Sequence, residues 1–462
     1  MNNLIQHRSW ILGMRGRVAG AALALAIMLL PAVLATRSAQ AQTYSYKVLY
    51  SFTGSPDAAF PGFYGTGVTL DVKGNLYGTT GGGGTYGQGT VFKVDTKGKE
   101  TVLYSFAGTP DGSGPNDGLV RDAQGNLYGT TQAGGSGSGI WGTVFKLDTA
   151  GHETVLHSFN SADGGYPIAG LAQDAQGNLF GTTFAGGAYS GGTVYEVDTT
   201  GKETVLYNFC VQGCPPDGTG LYGGVVLDAQ GNLYGTTASG GAYGQGTVFK
   251  VDTTGKETVL YSFCVQGYPC TDGAGPEAAL VRDAQGNLYG TSVGGGALGY
   301  GTVFKLDTSD NLTVLYSFAG TPDGFSPVAN VVRDAQGNLY GTTFDGGNSG
   351  CGAWNSCGTV FKLDTTGNET VLHRFTGLGG DGANPAAGLA LDAKGNLYGT
   401  TSYGGNIACQ YYGYCFGTVF KLTPAKVTKT TTTLTSAPNP STYGEAVTFA
   451  AMVAPAPPDG EI

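Results

Sequence analysis

Asp122-Ala123-Gln124-Gly125-Asn126-Leu127-Tyr128-Gly129-Thr130-Thr131 reads as a tight turn running into a strand, and the chain writes this phrase seven times. Its tag GNLYGTT, or a close variant, starts at Gly74, Gly125, Gly177, Gly231, Gly286, Gly337 and Gly395, a period of 51–58 residues. A second tag, GTVF or GTVY, starts at Gly89, Gly142, Gly192, Gly246, Gly301, Gly358 and Gly417. A third, of the type VLYSF, starts at Val48, Val102, Val155, Val205, Val259, Val314 and Val371. Seven copies in fixed order identify a repeat architecture rather than several unrelated domains.

Each unit reads as four strands, which in the second unit are 118–122 (a), 126–131 (b), 142–148 (c) and 153–159 (d). They are rich in Val, Leu, Thr, Tyr and Phe, bounded by Gly and Asp, and carry no helical period. The a–b connection is D-x-x-G-N in every unit, a type I turn with a left-handed fourth residue, and most c–d connections repeat it. One c–d turn places Asp310 in the glycine slot, which Asp tolerates better than most residues. Four-stranded units of this length predict β-propeller blades. The repeats open with a lone d strand near Tyr46 and close with an a-b-c set at 388–422. One strand, six complete units and three strands make a seven-bladed propeller, all-β, whose N-terminal strand completes the last blade.

Glycine supplies 83 of 462 residues without a G-X-Y period, so collagen is excluded. Hydrophobic residues at 40 % describe a core-forming chain and not a disordered one. The formal charge of −10 disfavours nucleic acid as a partner. Arg8, Arg15 and Arg17 precede an apolar run ending at Ala35, and Ala39-Gln40-Ala41 fits a signal-peptidase site, so residues 1–41 read as a signal peptide cleaved after Ala41. An uncleaved anchor helix is the alternative, and Met14 competes with Met1 as initiator. Removal of 1–41 loses four arginines and no acid, taking the charge to −14. The mature chain then has no further apolar run long enough to span a membrane, and a single ring predicts a secreted or surface-attached monomer.

The repeated tags resemble those of the bacterial GloVer (Gloeobacter–Verrucomicrobium) tandem-repeat proteins over about residues 46–422. That resemblance implies an exported protein, often joined to anchoring or adhesive modules, and implies no established activity. Residues 429–462, with Thr430–Thr433 and then Leu434-Thr435-Ser436-Ala437-Pro438-Asn439-Pro440, resemble the opening of a bacterial Ig-like repeat, truncated and unable to fold by itself. The expected division is 1–41 signal peptide, 42–422 propeller, 423–428 linker and 429–462 truncated module.

Most polar residues serve the repeat. Aspartates open the turns, and five of nine glutamates, Glu100, Glu153, Glu203, Glu257 and Glu369, follow the c–d turn. Only Asp117, Asp310, Asp345 and Asp459 fall outside the repeated aspartate positions. No paired-carboxylate set, Ser-His-Asp set or zinc motif stands out. His157 and His373 take the place of a d-strand tyrosine, and they account for the two non-Tyr/Phe members among 28 aromatic slots on strands b, c and d. The glycines of GNLYGTT and GTVF are expected to let adjacent blades approach.

Strand order gives the ring two faces. The short a–b and c–d turns share one, the longer b–c and d–a loops the other. All eight cysteines lie in that second set, as Cys210/Cys214, Cys264/Cys270, Cys351/Cys357 and Cys409/Cys415, and their even number and local spacing predict four disulfides in an exported chain, with metal binding by C-x5-C pairs that have no nearby histidine as the alternative. Trp354, Tyr411, Tyr412 and Tyr414 sit in the long b–c loops of blades six and seven, outside the core slots, and are candidates for binding a glycan or a protein surface. Packing within their own loops is the competing reading. The d–a aspartates Asp57, Asp111, Asp163, Asp217, Asp272, Asp323 and Asp381 form either local turns or a negative ring for Ca²⁺. Arg121, Arg282 and Arg333 on strand a either bind an anion or pair with the turn aspartates. The expected function is therefore non-enzymatic binding or display through the loop face. The alternatives are a propeller hydrolase, lyase or lactonase with a site at the central channel, and a purely structural module.

Overall fold

The computed structural model describes residues 43–62, 67–136, 140–211, 213–214, 216–347, 356–405, 415–425, 430–437 and 448–455, the last two by backbone alone. Among them there is no helix, and seven antiparallel sheets form the blades of a β-propeller, four-stranded except that in blade 1 Ala58–Pro61 of the d–a loop adds a fifth strand beside strand b. In blade 2 the strands are Val120–Arg121 (a), Leu127–Thr131 (b), Thr143–Leu147 (c) and Glu153–Ser158 (d), paired in that order. Blade 7 takes its d strand from the other end of the propeller: Tyr44–Ser51 pairs with Thr418–Pro424 in a register running from Tyr44↔Pro424 to Ser51↔Thr418. The predicted closure is therefore present, and it ties the two ends of the propeller together through the hydrogen bonds of one sheet.

The tags owe their composition to three contacts repeated in each blade. The d-strand phenylalanine packs edge-on against the c-strand aromatic of the next blade, from Phe52–Phe92 at 5.1 Å, through Phe159–Tyr195 at 4.9 Å, to Phe375–Phe420 at 5.2 Å. These rings are almost fully buried and carry the apolar burial that holds the ring together. The glycine in LYGTT is paired across the sheet with that c-strand aromatic, as Gly78 with Phe92, and a Cβ there would lie 2.7 Å from the Phe92 ring. This corrects the sequence expectation: the glycine makes room for a ring of its own blade rather than for a neighbouring blade. The GTVF glycine behaves as expected. Gly246 has φ +96°, and a Cβ on it would strike the Thr237 carbonyl and, at 2.7 Å, Pro276 of the following blade.

Each a–b turn is built on its aspartate. Asp228 accepts from the Gln230 and Asn232 backbone N–H groups, the Asn232 side chain and the Tyr234 hydroxyl at 2.8–3.0 Å. Those donors hold its carboxyl below the ordinary carboxylate range against the opposing pull of burial. Asp310 takes the left-handed slot of its c–d turn at φ +61°, as the sequence indicates. On the opposite face, each d–a loop pairs antiparallel with the b–c loop of the blade it leads into, through contacts such as Ser113↔Ala133, Thr219↔Ser239 and Phe325↔Asp345. Strands Thr430–Ala437 and Thr448–Pro455 form an antiparallel pair, and no Ig-like sandwich is described there.

Candidate functional site

No lysine or arginine occurs in any b–c or d–a loop of the propeller. The turn face, in contrast, presents Lys73, Lys97, Lys99, Lys202, Lys256 and Lys394, all exposed. The loop face instead exposes aromatic and aliphatic side chains on one recurring device. In blades 1, 3 and 4 the b–c loop makes a tight turn whose third residue is Tyr86, Tyr189 or Tyr243, closed by backbone bonds of 3.3 Å from Gly87, Ser190 and Gly244. The residue before each tyrosine is tied to the end of strand d, with the Thr85, Ala188 and Ala242 N–H groups donating to Ser105, Asn208 and Ser262. The rings stand 61, 51 and 49 % exposed, and Leu298 occupies the same place in blade 5 at 63 %. Tyr268 and Leu298 also line a cavity of about 570 Å³ with Gln245 and Cys270.

A second group of rings in these loops is half-buried. Trp141 of blade 2 packs on Tyr166 at 5.3 Å and covers Gly165, while Phe184 of blade 3 packs on Tyr222 at 5.0 Å. Burial raises the Glu277 carboxyl, and its charge in turn helps to raise the Tyr222 hydroxyl. Sequence reasoning missed both groups of aromatics because they fall between tags, where the repeat is least regular. The recurrence of Tyr before Gly or Ser at the b–c tip was the available signal.

Cys210–Cys214 and Cys264–Cys270 are disulfides, and Cys357 and Cys415 are disulfide-bonded. Cys351 and Cys409 lie outside the described residues, as do Trp354, Tyr411, Tyr412, Tyr414 and Asp459. The d–a aspartates are held inside their own loops. Asp57, Asp217, Asp272 and Asp323 each accept from the d-strand tyrosine hydroxyl at 2.8–3.0 Å and from a backbone N–H at the loop start. Asp111 accepts from Ala107 N–H, Asp163 from Asn160 N–H and Asp381 from Thr376 N–H, all at 2.8 Å. The geometry is that of the local turn.

The three strand-a arginines find a different partner from the one expected. Arg121, Arg282 and Arg333 lie over Tyr77, Tyr234 and Tyr289 of the preceding blade at 5.6–5.8 Å. No ion pair from them to a turn aspartate occurs among the described residues. The aspartate is already filled by its own turn, and the flat guanidinium stacks on the tyrosine instead.

Around the axis the segments leading into the a strands press on one another. A Cβ on Gly170 would lie 2.9 Å from the Asp117 carboxylate, one on Gly224 2.5 Å from the Gly170 carbonyl, and one on Gly67 would strike the Gly388 carbonyl. Asp117 is 5 % exposed in this ring, and Asp345 accepts from the Ser356 hydroxyl at 2.8 Å. The non-repeated aspartates thus stand at separate places.

Solved structures of low identity align with the chain. The extracellular domain of BT4673 from B. thetaiotaomicron aligns at 11 % identity and TM-score 0.50, over 84 % of this chain and 40 % of that one, so the chain spans about two-fifths of its length. The gluconolactonase XC5397 from Xanthomonas campestris aligns at 14 % identity and TM-score 0.39, over 83 % of this chain and 90 % of that one. A search of curated protein sequences finds no match. The profile of the Gloeobacter/Verrucomicrobia repeat matches residues 37–226 and 220–451, and with the seven tags built into seven blades the chain belongs to that repeat family.

Proposed function

We propose that the protein is an exported, non-enzymatic binding module that recognises neutral glycans through its b–c and d–a loop face. The observation that carries this reading is the recurring turn that holds Tyr86, Tyr189 and Tyr243 about half exposed or more in loops without a cation. Water-exposed tyrosine on a short, anchored turn loses little conformational freedom on binding, and its flat apolar ring with a polar tip suits the face of a sugar ring. The loops themselves hold no Lys or Arg, and the Arg374 guanidinium at the end of strand d is engaged with the Pro322 carbonyl, so the face offers polyanions little and favours uncharged partners. Trp354, Tyr411, Tyr412 and Tyr414 belong to the same set of loops and are proposed to extend the same surface. The described disulfides lie in these loops and fit an oxidising, extracellular setting.

A neutral-glycan array probed with the wild type and with the Tyr86→Ser/Tyr189→Ser/Tyr243→Ser variant tests the proposal. Saturable binding lost in the variant, with no turnover of the bound glycan, supports it. Equal binding by both, no binding by the wild type, or turnover of glycans, esters or lactones contradicts it.

A further inference from the structure

Seven seams between neighbouring blades carry the same three positions: a d-strand residue, the aspartate of the following d–a loop, and a residue at the start of the next blade's d strand. In four seams these are Tyr, Asp and Glu: Tyr50/Asp57/Glu100, Tyr104/Asp111/Glu153, Tyr207/Asp217/Glu257 and Tyr316/Asp323/Glu369. A fifth has Leu312 in the glutamate place. Histidine replaces the tyrosine in two. At His373/Asp381 the third residue is Tyr46, whose ring stacks on the imidazole at 3.7 Å, and His373 Nε2 is hydrogen-bonded to Asp381. At His157/Asp163 the third residue is Glu203, so an imidazole and two carboxylates meet at one seam.

We propose that His157, Asp163 and Glu203 form a binding site for Zn²⁺ that links blade 2 to blade 3. His157 Nε2 lies 3.3 Å from Asp163 Oδ2, and the three ligand atoms all lie within 4.8 Å of one another. Two ligands bound at about 2.0 Å in a tetrahedron are separated by about 3.3 Å, so the His–Asp edge already has the right length. His157 Nε2, beside Asp163 Oδ2, and Glu203 Oε1 are both shielded from solvent and make no hydrogen bond; the Oε1 atoms of Glu100, Glu153, Glu257 and Glu369 are left the same way, so it is the imidazole that sets this seam apart. A neutral imidazole and two carboxylates balance a divalent charge, and a water would complete four-coordination. The His157 and Asp163 side chains remain 18 % exposed, so an ion has a way in.

The test is calorimetry of the chelator-treated full chain with Zn²⁺ at neutral pH, with Co²⁺ absorption as a report of tetrahedral coordination. One ion per chain is expected, with a raised Tm. His157→Tyr installs the side chain that five seams already use, so the fold is retained, and Glu203→Gln is a second, milder variant. Each should weaken Zn²⁺ by about a hundredfold or more and abolish the Tm rise. His373→Tyr should change neither. The proposal is overturned if the wild type takes up no Zn²⁺, if binding survives both His157→Tyr and Glu203→Gln, or if His373→Tyr removes it.

Discussion

The two faces of this propeller are made from the same repeats and are opposite in character. On the turn face the aspartates that open the a–b turns are saturated by their own turns, the turn lysines are solvated, and little side chain is left over for recognition. On the loop face the backbone is fixed by Gly, Ser and short disulfides, and what projects is mostly aromatic and aliphatic. The difference teaches that regularity in a repeat marks where the fold is made, whereas contact surface accumulates where the repeat relaxes.

The largest effect on stability is expected on the turn face. Asp228→Ala removes the acceptor for four donors and should cost about 2–3 kcal/mol, measured by urea unfolding, while Tyr243→Ser on the loop face should stay within about 0.5 kcal/mol. If the two changes cost the same, the division of labour between the faces fails.

The seams between blades, belonging to neither face, should set the response to pH. Burial, joined by a d–a aspartate, pushes Glu100, Glu153, Glu257 and Glu369 up to about 7. Because the folded chain holds these protons more tightly than the unfolded one, their contribution is complete below the unfolded carboxylate value and is lost as pH rises through 7. The turn aspartates are lowered, as at Asp71, Asp122 and Asp392, so theirs is present above the ordinary value and lost as pH falls below it. Tm should therefore peak in mildly acid buffer and decline by a few degrees toward pH 8. The glutamates are only partly buried, so solvent screening keeps this modest. The Glu153→Gln/Glu257→Gln variant should flatten the alkaline limb. A Tm that climbs from pH 5 to 8 contradicts the assignment.

Reduction of the disulfides separates the faces more finely. Each closes a very short loop and contributes about 2 kcal/mol in the chain-entropy model. Because they are local, reduction should weaken glycan binding while hydrogen exchange at the a–b turns stays unchanged. The smallest effect is a gain: Asp310→Gly relieves a left-handed aspartate and should stabilise by about 0.5–1 kcal/mol, seen as a small rise in urea midpoint.

Fold and topology were legible because seven copies of one phrase expose turn chemistry, strand order and the displaced d strand together. The site was less so. One sequence of repeats shows which residues vary at a position, but not which positions meet across a seam. His157 and Glu203 stand in different tags, and their meeting with Asp163 depends on how blade 3 leans on blade 2. The arginines were visible as a strand-a anomaly, yet the ring beneath each belongs to the preceding unit. The glycine of LYGTT was assigned to the wrong neighbour for the same reason: its partner ring is in the same sheet, across a register that spacing alone does not fix.

The most direct test is a hydrogen-exchange footprint with the tightest-binding neutral glycan from the array. Protection is predicted in the b–c segments 81–88, 184–191 and 238–245, with the a–b and c–d turns unaffected. Protection centred on the D-x-x-G turns, or a bound glycan that leaves all three b–c segments unprotected, would contradict the assignment of recognition to the loop face.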